Sequence, residues 1–386
     1  GHTAVYIGNN DAANLAKLTT TSGAINITAD ASGNANDRRR GLVLYKSTLS
    51  STSGAITLDA RSNALTNSFD FYILSGNNTV SSTTGAVLLK GSAGSYSALE
   101  SGTISSDTSV TLQMSRLGVG TGMTLTLAGA SPKVIESTSG ENSFGAAIDI
   151  TRLAVSTDST SVRVGKTTNT AGVTLGTAWT TAGPISVYGG SAAINGNITI
   201  TGAGNAFLVK TTGDITTGNS VTVQTNNANI VFWPNSDKVA AVANNTGRFA
   251  SGTNLTLRSQ GGKIWIAGGL DDGGGDATIT TAKGAWSSIA ASDGLSDGYA
   301  VGINTSGNTM GVYLGAGYTL SSSGGDIFLA GMDAPTSDTG ASYNMQLVSG
   351  LIDSGTGRIA LWAKAYANAS ANAGLILHVG DNTAGS

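Results

Sequence analysis

One short phrase returns along this chain at a nearly fixed spacing, and that recurrence restricts the fold more than any other property. It reads Thr21-Ser22-Gly23-Ala24-Ile25-Asn26-Ile27-Thr28, then Thr52-Ser53-Gly54-Ala55-Ile56-Thr57-Leu58-Asp59, then Thr83-Thr84-Gly85-Ala86-Val87-Leu88-Leu89-Lys90. Gly23, Gly54 and Gly85 follow one another at equal intervals in the numbering. Later copies drift: Thr181-Ala182-Gly183-Pro184-Ile185, Thr212-Gly213-Asp214-Ile215, Gln260-Gly261-Gly262-Lys263-Ile264, Ser323-Gly324-Gly325-Asp326-Ile327 and Thr356-Gly357-Arg358-Ile359. The step from Ile185 to Ile215 is slightly shorter than the glycine interval, and that from Ile327 to Ile359 slightly longer. The step from Ile264 to Ile327 is twice as long, which reads as two units. Between residues 90 and 180 the phrase drifts most. A period of about 20 to 50 residues denotes a solenoid, a propeller or an array of small units.

Each copy has the same local logic. Glycine permits a positive φ or a sharp bend, so it marks a corner. The residues after it alternate: Ile56 inward, Thr57 outward, Leu58 inward, Asp59 outward. That is the period of a half-buried strand. Further short strands of the same kind lie between copies, at Leu42–Tyr45, Phe71–Leu74, Val110–Met114, Val162–Val164, Val221–Val223 and Leu255–Leu257, separated by Gly, Asn, Asp and Ser. No window shows a convincing helical period.

Composition removes the competing classes. Gly, Ser and Thr number 55, 46 and 50 of 386 residues, yet 40% of the chain is hydrophobic and only 11% charged. A disordered chain is poor in aliphatics and rich in charge or proline. Collagen needs glycine at every third position with abundant proline, and here there are 4 prolines. With no cysteine there is no disulfide scaffold. A net charge of -3 with no basic face argues against a nucleic-acid partner. No apolar run approaches the ~20 residues of a membrane-spanning helix, and no signal peptide is recognisable. Gly1-His2 reads as a tag remnant, which leaves residues 3–386 as one expected domain.

A propeller blade needs four strands in about 40 to 50 residues, whereas each unit here holds two or three strands in a shorter span. A parallel β-helix accounts for both facts. The expected fold is therefore all-β, a right-handed parallel β-helix of about twelve coils of roughly 31 residues, stacked ~4.8 Å apart. Ile25, Ile56 and Val87 are expected in one inward column. Asn26, Thr57 and Leu88 are expected in an outward column, where Leu88 fits poorly.

Runs such as Ser53-Gly54-Ala55-Ile56-Thr57-Leu58, Gly196-Asn197-Ile198-Thr199-Ile200-Thr201 and Gly261-Gly262-Lys263-Ile264-Trp265-Ile266-Ala267-Gly268-Gly269 resemble the repeat regions of large secreted bacterial exoproteins. The nearest family is the filamentous-haemagglutinin-like adhesins of two-partner secretion, with autotransporter passenger domains as cousins. The resemblance is one of rhythm and composition. It implies a β-helix secreted to the outer cell surface, acting as an adhesin or structural rod that contacts glycans, host surfaces or neighbouring rods. The Asn-Pro-Asn-type motifs of the family's secretion domain are missing, so the segment resembles an internal or distal part of a longer protein. A β-helix lyase or glycosidase, or a phage-tailspike-like protein, is the alternative.

Candidate chemistry is sparse, and no catalytic residue, metal site or cofactor is expected. His378 is the one histidine outside the suspected tag, in the strand-like Leu375–Val379, so triads and His-rich metal sites lack their parts. Asp271, Asp272 and Asp276 form an Asp/Gly-rich turn that offers a cation site or paired carboxylates. Gly118-Val119-Gly120-Thr121-Gly122 lacks the Lys-Ser/Thr ending of a phosphate loop. Arg38-Arg39-Arg40 reads as a solvated loop, with an anionic surface as the lesser reading. Trp179, Trp233, Trp265, Trp286 and Trp362 fill coil corners or, where exposed, stack on sugars. Thr-x-Thr phrases at Thr124-Leu125-Thr126 and Thr199-Ile200-Thr201 suggest an ice-binding array, but they keep no fixed place in the repeat, so no ordered threonine lattice is expected.

Overall fold

The computed structural model describes residues 2–8, 15–33, 38–63, 65, 67–74, 76–119, 123–237, 247–271, 294–302, 310–333 and 344–364, and the backbone alone of 342–343 and 372–378. No helix occurs among the described residues. The chain divides by its contacts into two compact units, Gly1–Tyr188 and Gly189–Ser386.

The first unit has three walls, and each wall takes every third strand in chain order. One wall runs from His2–Gly8 through Arg39–Tyr45, Phe69–Ile73 and Tyr96–Leu99 to Gly172–Leu175. A second runs from Ala16–Thr20 through Ser47–Ser51, Thr79–Ser82, Gly102–Ser106 and Leu125–Ala128 to Leu153–Val155. The third begins at Ile25–Asp30 and Ile56–Arg61 and ends at Ile185–Gly189. Neighbours within each wall pair in parallel. Three walls traversed in turn, with equivalent strands stacked, make a parallel β-helix. The strands expected from sequence are present.

The inward column of the third wall is Ile25, Ile56, Val87, Val110, Lys133, Val162 and Ile185, in continuous register. The numbering of this column gives the coil lengths. The two steps from Ile25 through Ile56 to Val87 are equal, as expected. Every later step, through Val110, Lys133 and Val162 to Ile185, is shorter; three of them are equal and the step from Lys133 to Val162 is longer than those three. The drift between residues 90 and 180 is thus a real shortening of the turns. Asn26 is exposed and Thr57 and Leu88 are half-buried, as their outward column requires.

The second unit repeats the plan with one changed wall. Its inward column is Phe207, Ile230, Ile264 and Ile327, with Ile359 next in register but 46% exposed. The long stretch between Ile264 and Ile327, expected to be two coils, is one: the two isoleucines pair directly. Part of the excess chain returns as Ala300–Val301 and pairs with Ile327–Met332.

The corners explain the recurring phrase. A Cβ added to Gly54 would lie 2.1 Å from the Gly23 carbonyl oxygen, and one on Gly85 would lie 2.4 Å from that of Gly54. Neither glycine has a positive φ. Their reason is close approach of one coil's backbone to the next, where a corner bend was expected. A hydroxyl three residues before each glycine completes the corner. Ser51 Oγ donates to the Gly23 carbonyl at 3.2 Å and accepts the Gly54 N–H at 2.8 Å. Ser82 does the same with Gly54 and Gly85, and Ser106 donates to the Gly85 carbonyl. In the second unit the equivalent hydroxyl closes its own turn: Ser259 to Gly262, Ser322 to Gly325, Ser354 to Gly357. Each leaves a buried polar group satisfied, which a stacked corner out of reach of water requires.

Lys133 interrupts the aliphatic column. Its side chain is fully buried. The ammonium donates to the Gly129 carbonyl at 2.7 Å, the Ser131 carbonyl at 3.0 Å and the Ser131 hydroxyl at 2.7 Å. Burial lowers its pKa from 10.5 to about 8, against the opposing pull of Asp158 and Asp107.

Two tests follow from this packing. Gly54→Ala is expected to cost about 1–3 kcal/mol by overpacking in urea denaturation, whereas Gly33→Ala, which has open space around it, leaves the midpoint unchanged. For Lys133, the unfolded chain keeps its proton up to about pH 10.5 while the native chain releases it near 8. The unfolded state then binds more protons in that window, so native stability rises with pH. At about 1.4 kcal/mol per pKa unit, native protein should gain about 2 kcal/mol relative to Lys133→Met between pH 8 and pH 10. A flat difference between the two proteins would contradict the buried ammonium.

Candidate functional site

The outer face of the first wall carries an arrangement that the tryptophan positions did not suggest. Arg40, Phe69, Tyr96 and Arg116 are consecutive register partners across four strands. The side chains of Arg40, Phe69 and Tyr96 are half-buried and that of Arg116 is exposed. The Phe69 and Tyr96 ring centroids are 5.6 Å apart. Tyr72 stacks on Phe69 at 5.0 Å with 22° between the planes, and the Arg40 guanidinium lies 4.5 Å from the Tyr72 ring centre. Tyr6, 51% exposed, lies two strands from Tyr72 along the same wall.

Strict alternation would place Phe69 and Tyr72 on opposite faces. A shift of register between Tyr96 and Ala98 leaves an extra residue in Phe69–Ile73, a bulge that turns both rings outward. Asp70 holds the bulge. It is fully buried and accepts hydrogen bonds from the Ser62 N–H at 2.6 Å, the Ser62 hydroxyl at 3.0 Å, the Ser92 N–H at 2.7 Å and the Ser92 hydroxyl at 2.9 Å. Burial raises its pKa, and these four donors oppose the rise. Gly118 belongs to the same surface, because a Cβ there would lie 1.8 Å from the Tyr96 hydroxyl. Burial raises the pKa of that phenol, Asp149 adds to the rise and Arg116 opposes it, so it stays protonated and able to donate.

Arg38-Arg39-Arg40 is therefore not the solvated loop expected from sequence. Arg39 and Arg40 open a strand, Arg39 is buried, and Arg40 is held by the Tyr72 ring, a contact of about 0.5–1 kcal/mol at a partly exposed site. Of the glycine run 118–122, Gly118 ends a strand and Gly120, Thr121 and Gly122 lie outside the described residues.

Two carboxylates of the third wall are committed to cations. On the outer face of the third wall Asp59 meets Arg61 and Lys90, each at 3.2 Å, and Glu136 meets Arg163 at 2.7 Å and Gln113 at 2.9 Å. Burial pushes both carboxyls up, but these partners outweigh it and hold both below the usual range. Neither carries a proton at neutral pH to give to a leaving group.

Trp179, Trp233 and Trp265 are buried and Trp362 is half-buried; Trp286 lies outside the described residues. Trp179 donates to the Leu153 carbonyl at 2.7 Å. Trp233 and Trp265 do not fill coil corners. They project from the outer face of the third wall in the second unit, into a second core with Phe328, Leu295, Tyr299 and Val301. The Trp265 and Phe328 rings stack at 4.2 Å, and the indole N–H of Trp233 donates to the Gly269 carbonyl at 2.7 Å. The Lys210 ammonium sits 3.5 Å from the Trp233 ring centre. The long coil between Ile264 and Ile327 supplies the cover of this core, and so no ring face at Trp233 or Trp265 is open to a sugar.

Of the acidic turn, Asp271 accepts the Gly294 N–H at 2.8 Å, and Asp272 and Asp276 lie outside the described residues. No group of three or more metal-ligating side chains occurs among the described residues. His378 ends the strand Asn372–His378, in register with Val348. No family model, no curated protein and no solved structure matches this chain.

Trp233→Ala is expected to cost about 3–5 kcal/mol in chemical denaturation, with no change in the affinity of the folded protein for any glycan.

Proposed function

We propose that this chain is a non-enzymatic β-helix of a secreted or surface-held bacterial exoprotein, an adhesin that binds acidic glycans. The column Arg40, Phe69, Tyr96, Arg116 carries the reading. Two rings offer apolar faces and edges to the C–H side of a pyranose. An arginine at each end of the pair suits a carboxylate or sulfate, which guanidinium engages with paired donors. Three strand steps of ~4.8 Å separate the two arginines along the wall, the length of a short oligosaccharide. The rhythm shared with exoprotein repeats and the low charge of the chain support the same assignment.

The test is a glycan array with native protein, followed by Arg116→Ala and by Tyr96→Ala, each checked for unchanged circular dichroism. Native protein should select uronate- or sulfate-bearing glycans over neutral ones. Arg116→Ala should weaken that binding about tenfold, the effect of losing one charge-assisted hydrogen bond of about 1.5 kcal/mol, and raised salt should weaken it further. Preference for neutral glycans, or depolymerisation of the polysaccharide during incubation, would count against the proposal.

A further inference from the structure

The outer face of the second wall in the first unit carries a two-dimensional lattice of hydroxyl groups. Thr48, Thr79, Thr103 and Thr126 are successive register partners in four adjacent strands. Two residues further along the same strands, Ser50, Ser81 and Ser105 form a second column, which ends at Ala128. The register runs through these strands without a shift. Lys17 and Thr19 stand at one edge of the two columns, and Ala154 follows Thr126 at the other. The coil shortens at each step along the threonine column, so its members keep no fixed interval in the sequence. Of the Thr-x-Thr phrases read from the sequence only Thr126 stands in these columns; the strand pairing, and not the sequence interval, aligns it with Thr48, Thr79 and Thr103.

These seven side chains differ from the hydroxyls at the corners of the unit. The corner hydroxyls Ser51, Ser82 and Ser106 bond to backbone carbonyls of the adjacent coil, and so do Thr84 and Thr108 beside them. The seven lattice hydroxyls make no side-chain hydrogen bond among the described residues, and all seven residues are half-buried at outward positions. Their spacings follow from the sheet: ~4.8 Å along a column and ~6.6 Å between columns. Threonine is stiff at χ1, which keeps the methyl and hydroxyl of one rung aligned with those of the next. No outward position of the four strands carries a charge or an aromatic ring.

We infer that this face binds ice. A single exposed hydroxyl contributes at most about 0.5–1.5 kcal/mol net. A ligand with a matching repeat engages all seven at once, and each contact after the first is gained at high effective concentration. A periodic lattice of water oxygens has such a repeat, whereas a soluble ligand engages one or two rungs. The lack of rings and charges separates this face from the arginine and aromatic column on the first wall and disfavours a polysaccharide crystal, which stacks on aromatic platforms. The inference does not depend on the glycan-binding reading.

The test uses the whole chain. Native protein should produce a gap between melting and freezing points, shape growing ice crystals and inhibit ice recrystallisation. Thr79→Lys combined with Thr103→Lys, both on the outer face, should abolish these effects. Thr57→Lys on the third wall and Arg116→Ala on the first should retain them. If the double variant fails to fold by circular dichroism, Thr79→Tyr alone should reduce the freezing gap by at least half. Folded native protein that neither shapes ice nor inhibits recrystallisation would overturn the inference, as would activity that survives in the folded double variant. Retention on crystalline cellulose or chitin, or self-association through this face, without ice activity would overturn it as well.

Discussion

Everything in this structure depends on stacking parallel strands one hydrogen-bond spacing apart while the chain turns out of each wall. Within the walls the strands satisfy one another. At the corners the backbone leaves the ladder but must still pass within contact of the coil beside it. At Gly54 and Gly85 no side chain fits, because the neighbouring carbonyl occupies the place of the Cβ. Three residues earlier a serine hydroxyl supplies the missing donor and acceptor. The two requirements together produce the Ser/Thr-x-x-Gly unit of the repeat. They also account for a chain rich in Gly, Ser and Thr that nevertheless buries a continuous apolar interior.

The same constraint leaves freedom elsewhere. Only the inward columns and the corners are tied to the stack, so the length of a turn varies from coil to coil. Shortened turns carry the column from Val87 through Val110 to Ile185, and one long turn between Ile264 and Ile327 brings in Leu295, Tyr299 and Val301. That added chain gives part of the second unit an outer core around Trp233 and Trp265. Buried polar groups mark the points where the regular stack is broken. Lys133 takes an aliphatic position and satisfies three oxygens at a corner. Asp70 gathers four donors at a bulge and so turns Phe69 and Tyr72 to the same face. The outer faces differ in chemistry although the coil is one design: rings and guanidinium on one wall, hydroxyls on the next, paired charges on the third.

The class of fold is legible in the repeat. The even spacing of Gly23, Gly54 and Gly85, the alternation after each glycine and the scarcity of charge suffice for stacked parallel strands, and the same spacing puts Ile25, Ile56 and Val87 in one column. The hydroxyl three residues before each glycine, at Thr20, Ser51 and Ser82, lies one residue upstream of the phrase as read, and its constant offset is the signal that would have found it. Alignment between coils of unequal length emerges only in the folded stack. Thr48, Thr79, Thr103 and Thr126 share no interval in sequence, and Arg40, Phe69, Tyr96 and Arg116 cross a bulge that reverses the alternation. Which outward side chains become neighbours depends on how many residues each turn consumes. Turn length is set by packing across the stack, and so it leaves no periodic trace in a single chain.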